Sequence, residues 1–128
     1  MSTRIPARNV QLKRAYVKAA RRDGVRVLVD RLWPRGVTKS GAAIDYWFKD
    51  LAPSTSLRQW FGHDPARWAS FQRRYAAEIR AHREVLAELR DLARQGPVTL
   101  VYAAHDETHN DAVVLRNVVL GRLSPRSV

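Results

Sequence analysis

The spacing of apolar residues divides the chain into three strand-like runs and a series of amphipathic helices. Residues 10–17 (Val-Gln-Leu-Lys-Arg-Ala-Tyr-Val) partly alternate apolar with polar, which predicts a strand. A polar connection follows and ends in Asp23-Gly24. Residues 25–32 hold Val25, Val27, Leu28 and Val29, a nearly continuous β-branched run. That pattern belongs to a strand covered on both faces, and it marks the central strand. Trp33-Pro34-Arg35-Gly36 then turns the chain, because proline removes a ladder donor and glycine admits a positive φ.

Within residues 40–51, Ile44, Trp47, Phe48 and Leu51 recur three to four apart, so a short helix is expected there, closed by Pro53. Ser54 can cap a second short helix carrying Leu57, Trp60 and Phe61, with Gly62 as its left-handed terminator. Asp64 then stands at an N-cap with Pro65 in the first turn, and Gly96-Pro97 ends the next helical stretch. Between them Trp68, Phe71, Tyr75, Ile79, His82, Leu86, Leu89 and Ala93 form one stripe. At 1.5 Å per residue, about 30 residues would reach ~45 Å, wider than a domain of this size, so a break near His82 is expected. His82 itself reads as structural.

Residues 98–103 (Val-Thr-Leu-Val-Tyr-Ala) give the second buried-strand signal, followed by a polar loop over residues 105–110 and a helix over 108–120. The order strand, strand, helices, strand, helix predicts an α/β layer fold, a mostly parallel sheet of about three strands packed by helices. A length of 128 residues fits one domain over 1–128, with residues 1–9 and 121–128 expected as flexible basic tails.

Composition narrows the chemistry. The chain has no cysteine, which removes thiolate nucleophiles, disulfides and Cys-based metal sites. No run approaches the ~20 apolar residues of a membrane span, and residues 1–10 lack a signal-peptide core, so a cytoplasmic protein without a membrane partner is expected. Lys+Arg 23 against Asp+Glu 12 gives +11, which directs attention to anionic partners. Arginine supplies 19 of those cations, a skew that codon usage alone can produce. Residues 1–22 carry seven cations and no acidic side chain, whereas residues 64–95 mix both signs as an ordinary charged helix face does.

In open α/β sheets ligands bind beyond the carboxyl ends of the strands. Two loops qualify, residues 30–36 and 104–110, and they share an edge if their strands are parallel neighbours. Arg31 and Arg35 flank a stiff Trp33-Pro34 step, suited to a bidentate grip on phosphate or carboxylate. Alternatively Arg31 ties to Asp30, Asp50 or Asp64, and Trp33 belongs to the core. His105 and His109 are four apart, which is also metal-ligand spacing, but the pattern is not H-E-x-x-H and no third ligand is evident, so no metal is assigned. The rival is a helix start, capped by Asp106 or Thr108, whose free N–H groups can hold an anion. His109 can serve as acid or base, oriented by Asp106 or Asp111. His63, Tyr102, His105 and Asn110 complete the candidate lining, although His63 also reads as a loop-packing residue. No G-x-G-x-x-G, P-loop or G-x-S-x-G occurs, and the sequence names no cofactor.

At V-L-V-D-R-L-W-P-R-G (residues 27–36) the chain resembles the YeaO-like family, bacterial domain of unknown function 488. Matching strings recur at K-D-L-A-P-S-T (49–55), L-R-Q-W-F-G-H-D-P-A-R-W (57–68) and V-T-L-V-Y-A-A-H-D-E-T-H-N-D-A-V-V-L (98–115). The resemblance implies a small cytoplasmic α/β domain and supplies no established activity. It departs at Ala15-Tyr16-Val17, where the family often reads V-Y-D, and at His105, where arginine is common. The expected function is binding of an anionic small molecule, nucleotide or phosphoester, by Arg31, Trp33 and Arg35 with His63, Tyr102, His105 and Asn110. His109 and Asp106 are the groups that would do acid/base work if a reaction is catalysed. The rivals are a nucleic-acid-binding or regulatory protein using its basic surface, and an interaction module, homodimerisation included.

Overall fold

The computed structural model describes residues 4–123. Its sheet is wholly parallel and runs in the order β1-β4-β2-β3, with β1 Val10–Arg14, β2 Val25–Leu28, β3 Tyr46–Trp47 and β4 Val98–Tyr102. The strand signals at 10–17, 25–32 and 98–103 therefore each produce a strand, shorter than its run. A fourth strand of two residues joins them. Both buried-strand signals lie inside the sheet: β4 pairs with β1 (Leu12 opposite Leu100) and with β2 (Val27 opposite Leu100), and all five of its residues are buried.

Alternation along the strands gives the sheet two unlike faces. Val10, Leu12, Val27, Val29, Val98, Leu100 and Tyr102 join the main core, under the helices α2 Thr55–Phe61, α3 Trp68–Ala81, α4 Arg83–Gln95 and α5 Asp111–Val119. The opposite face carries Gln11, Lys13, Arg26 and Thr99. A smaller cluster of Ala15, Leu28 and Val101 lies there under Trp33, Val37, Ile44 and Trp47.

The helix expected over 40–51 is not formed. A single turn, α1 Lys39–Ala42, capped by Thr38, stops where Ala43 takes a left-handed φ of 48°. The Asp45 main-chain N–H then donates to the Arg26 carbonyl (2.8 Å), while the Asp45 carboxylate accepts from the Arg26 N–H (2.8 Å). These bonds lay the chain along the free edge of β2, and Trp47 pairs with Leu28. Ile44 and Trp47 pack in the smaller cluster while Leu51, in a 3-10 turn, enters the main core. The helical spacing arose from residues bound for opposite faces of the sheet.

The other helix signals each produce a helix, with changed bounds for the last. Ser54 caps α2 by accepting from the Leu57 N–H, and Gly62 ends it at φ 53°. Asp64 caps the 3-10 turn Pro65–Arg67 that leads into α3. The long stripe breaks at His82 (φ −106°, ψ 59°), which is exposed instead of sharing the buried stripe. The last helix starts at Asp111, not near Thr108, because Asn110 is the N-cap, accepting from the Val113 N–H. Opposite the β-strand ends that carry the polar loops, Gly24 closes against β4. A Cβ there would lie 2.1 Å from the Pro97 carbonyl oxygen, and its φ of 65° also favours glycine.

Within the stretches expected as tails, 1–9 and 121–128, the described residues make the following contacts. Ile5 is buried, Asn9 donates to the Ala93 carbonyl (2.7 Å), and Arg116 donates to the carbonyls of Val10 and Ala7. The Arg122 N–H donates to the Asn117 carbonyl. Residues 1–3 and 124–128 lie outside the described residues. Among those described, no helix is long and apolar enough to cross a membrane.

Candidate functional site

Because β2 and β4 are parallel neighbours, the loops that follow them leave the sheet at one edge. Between them lies a cavity of about 600 Å³. It takes Asp30, Arg31, Trp33 and Arg35 from the first loop, and His105, Asp106, His109 and Asn110 from the second. Arg58 and Phe61 of α2, His63, Phe71 of α3 and Asp111 of α5 close it, with Tyr16 at its side.

The first loop is stitched through its own polar groups. Asp30 accepts from the Ala103 N–H through its carboxylate (2.9 Å) and from Trp47 Nε1 through its carbonyl (2.7 Å). Arg31 donates Nε to the Pro53 carbonyl (3.2 Å), with Ala52 O at 3.5 Å from Nη2, so its tie runs to main chain and not to Asp30, Asp50 or Asp64. Trp33 donates Nε1 to Val37 O (2.6 Å) and packs edge-on against Trp47 while still lining the cavity. The Tyr16 hydroxyl donates to the Arg35 carbonyl (3.0 Å), which holds the loop while the Arg35 side chain stays exposed. The side chains of Arg35 and Arg58 have no hydrogen-bond or ion-pair partner among the described residues.

The second loop is organised around Asp106. Its Oδ1 accepts from the N–H groups of Thr108 and His109 (2.9 Å each), and its Oδ2 lies 3.0 Å from His109 Nδ1. The Thr108 and His109 N–H groups, with side-chain bonds from the same two residues, hold the Asp106 carboxyl well below the usual carboxylate range. Asp106 thus forms a turn ahead of the helix and orients His109, whose ring meets Trp68 edge-on (centroids 5.1 Å apart). A proton on Nδ1 facing Asp106 leaves His109 Nε2 able to accept from or exchange a proton with a ligand. Buried Asn110 spends its side chain on Asp106 O (2.9 Å) and the Val113 N–H.

The remaining candidates divide. His105 is exposed, with Nδ1 3.4 Å from Arg14 Nη2, and His63 sits at the rim in a left-handed conformation (φ 58°) beside the Phe61 ring. Tyr102 is buried beneath the site and does not line the cavity; burial pushes its hydroxyl pKa up. Among the described residues no three His, Asp or Glu side chains gather as metal ligands.

Sequence reasoning missed the inner end of the cavity. Asp111 does not orient His109; its side chain is hydrogen-bonded to that of Asp30. Burial, then the charge of Asp30 and this hydrogen bond, push the Asp111 carboxyl well above the usual range, so it holds its proton to higher pH than a free carboxyl does. Asp30 had a signal, its place at a strand end. Asp111 had none, since the meeting depends on where α5 lands, and Arg58 is one of many arginines with nothing local to distinguish it.

A family model described as "Inactive DUF488-N3 subclade" matches residues 9–127. The chain is 45% identical over 107 residues to the uncharacterized protein YeaO of Escherichia coli K12, covering 84% of this chain and 93% of that one. It is 41% identical over 113 residues to the uncharacterized protein Mb3100c of Mycobacterium bovis, covering 88% of this chain and 95% of that one. No solved structure matches. The loops that frame the cavity lie within the span of the family model, and the chain belongs to the YeaO-like DUF488 family, in the subclade described as inactive.

Proposed function

We propose that the cleft at the strand ends binds an anionic small molecule of the phosphoester or nucleotide class. The observation that carries this reading is the pair of guanidinium groups, Arg35 and Arg58, without a partner among the described residues, on the rim of an aromatic-lined cavity of about 600 Å³. Arginine grips phosphate or carboxylate through paired N–H donors, and a cavity of this size holds a small organic molecule. Arg31, engaged with main chain, supplies field more than grip, so the clamp passes from Arg31 and Arg35 to Arg35 and Arg58. His63, His105 and His109 add donors around the same opening, and Trp33, Phe61 and Phe71 offer ring surface. The description of the matching subclade as inactive favours binding over turnover.

A thermal-shift screen with sulfate, phosphate, sugar phosphates and nucleotides on wild type and Arg35→Ala tests this. A ligand at 100 times its Kd adds about 2.7 kcal/mol, several degrees for a domain of this size. Stabilisation of wild type that is lost in Arg35→Ala is expected, with the unliganded melting temperature unchanged because the Arg35 side chain has no partner among the described residues to lose. Equal shifts in both proteins would falsify the clamp.

A second reading, a polyanion on the basic surface, draws on Arg67 and Arg74, whose guanidinium groups both lie over Trp60 (5.2 and 4.2 Å from its centroid). Duplex DNA contacted through Z phosphates loses affinity with a log-log salt slope of about −0.9Z, so a flat response eliminates it.

A further inference from the structure

On the reading of the cleft as an anion site, we infer that Asp30 and Asp111 form its inner end and select a ligand carrying, opposite its anionic group, a neutral group with a hydrogen-bond donor and acceptor side by side, as in a carboxamide. Both carboxyls line the cavity. Each has one oxygen held by main chain, Asp30 Oδ2 by the Ala103 N–H (2.9 Å) and Asp111 Oδ1 by the Ala112 N–H (2.9 Å). That fixes both groups, and Asp30 Oδ1 has no main-chain donor among the described residues.

No lysine or arginine forms an ion pair with either carboxyl among the described residues. Elsewhere in the fold the buried carboxylate Asp23 takes two such cations, so a pair with no cation bonded to it at a cavity floor is a departure from how this protein buries charge. One proton held between the two supplies a donor, and the open lone pairs supply acceptors.

The neutral character of the partner follows from the charges around the pair. One carboxylate, one carboxylic acid and the guanidinium of Arg31 sum to zero, and the rim is cationic through Arg35 and Arg58. A second anion at the floor would face the Asp30 charge, and an ammonium would have to pass the arginines. A flat body between Trp33, Phe61 and Phe71 joins the two ends.

The test uses phenyl phosphate, 4-carbamoylphenyl phosphate and 4-(aminomethyl)phenyl phosphate, titrated calorimetrically into wild type, Arg35→Ala, Asp111→Asn and Asp111→Ala. Wild type should bind the carboxamide at least about tenfold tighter than phenyl phosphate, a difference of ~1.4 kcal/mol. Asp111→Asn, which keeps a donor and an acceptor, should retain that advantage, and Asp111→Ala should lose it. Should Asp111→Ala not fold, retention in Asp111→Asn and its loss in Asp30→Ala read the same pairing. If phenyl phosphate binds in an Arg35-dependent way but the carboxamide gains nothing, or the amine gains more, the selection by Asp30 and Asp111 is overturned while the anion site stands. If no probe binds, both fall.

Discussion

Two places in this small sheet keep carboxyl groups away from water, and they treat the charge in opposite ways. On the face away from the long helices, Asp23 is 2% exposed and accepts from Lys13 Nζ (2.8 Å), Arg26 Nη1 (2.7 Å) and the Ala20 N–H (2.9 Å). Burial alone would raise its pKa, but the Lys13, Ala20 and Arg26 hydrogen bonds outweigh it and hold the carboxyl below its usual value. Thr99 adds a bond to the Asp23 carbonyl and Arg26 Nε one to Ala42 O, so the network ties β1, β2, β4 and α1 together. At the strand ends, Asp30 meets Asp111, and burial with the Asp30 charge pushes the Asp111 carboxyl up instead. The first arrangement is complete within the fold, apart from Arg26 Nη2, which has no partner among the described residues. The second still has hydrogen-bonding capacity to offer, and it lies where a cavity admits a ligand.

The largest effect that would separate the two comes from Asp23→Ala. It strands the guanidinium of Arg26 in the interior and should cost about 3–5 kcal/mol, read as a shift in the urea midpoint. A loss no greater than that of an exposed carboxylate, under about 0.5 kcal/mol, would show the network to be dispensable.

The pH dependence should differ in sign. With Asp23 depressed, its contribution is present above the unfolded-state pKa, near the ordinary value of 3.8, and is lost as pH falls through the lower folded value. With Asp111 raised, the folded state binds a proton that the unfolded chain releases. Stability therefore falls as pH climbs from about 3.8 through the raised value. Asp111→Asn should raise the thermal midpoint by a few degrees at pH 8 and change it little at pH 3.5, with Asp30, Arg31, Glu78 and Tyr75 as the neighbouring ionisable groups. Asp23→Asn should lower the midpoint most at pH 8, with the loss shrinking in acid. Parallel profiles for the two variants would erase the contrast. A smaller effect, about 1 kcal/mol, is expected for Asn110→Ala, which removes the α5 cap beside Asp111 and is measurable by denaturant titration.

Much of this architecture was legible because its signals are local. Ser54, Gly62, Asp64 and Pro65 act within one turn of their own positions, and the runs at Val25 and Val98 have no burial option but the inside of a sheet. Residues 40–51 were not legible, because Ile44, Trp47 and Leu51 recur at a helical interval while packing on opposite faces. The decisive event there is Asp45 bonding to Arg26, nineteen residues away, which no window of sequence contains. The site follows the same division. Arg31, Arg35, His105 and His109 follow from the strand-end rule, but what each side chain does depends on its neighbours. Pro53 engages Arg31, Asp106 takes both the turn and His109, and Asp111 turns to Asp30.

The strand order also governs how the chain comes off the ribosome. β1 and β2 follow each other in sequence yet are held apart in space by β4, the last of the described strands to be made. Until Tyr102 has emerged, β1 has no strand to join and β2 can pair only along the two residues of β3. Meanwhile α3 and α4 can already coil through contacts close in sequence, and their apolar stripe waits for a sheet to cover. Translation must therefore deliver most of the chain before the core can close, and the nascent protein passes through a stage with bare parallel edges, the kind of surface on which chaperones act.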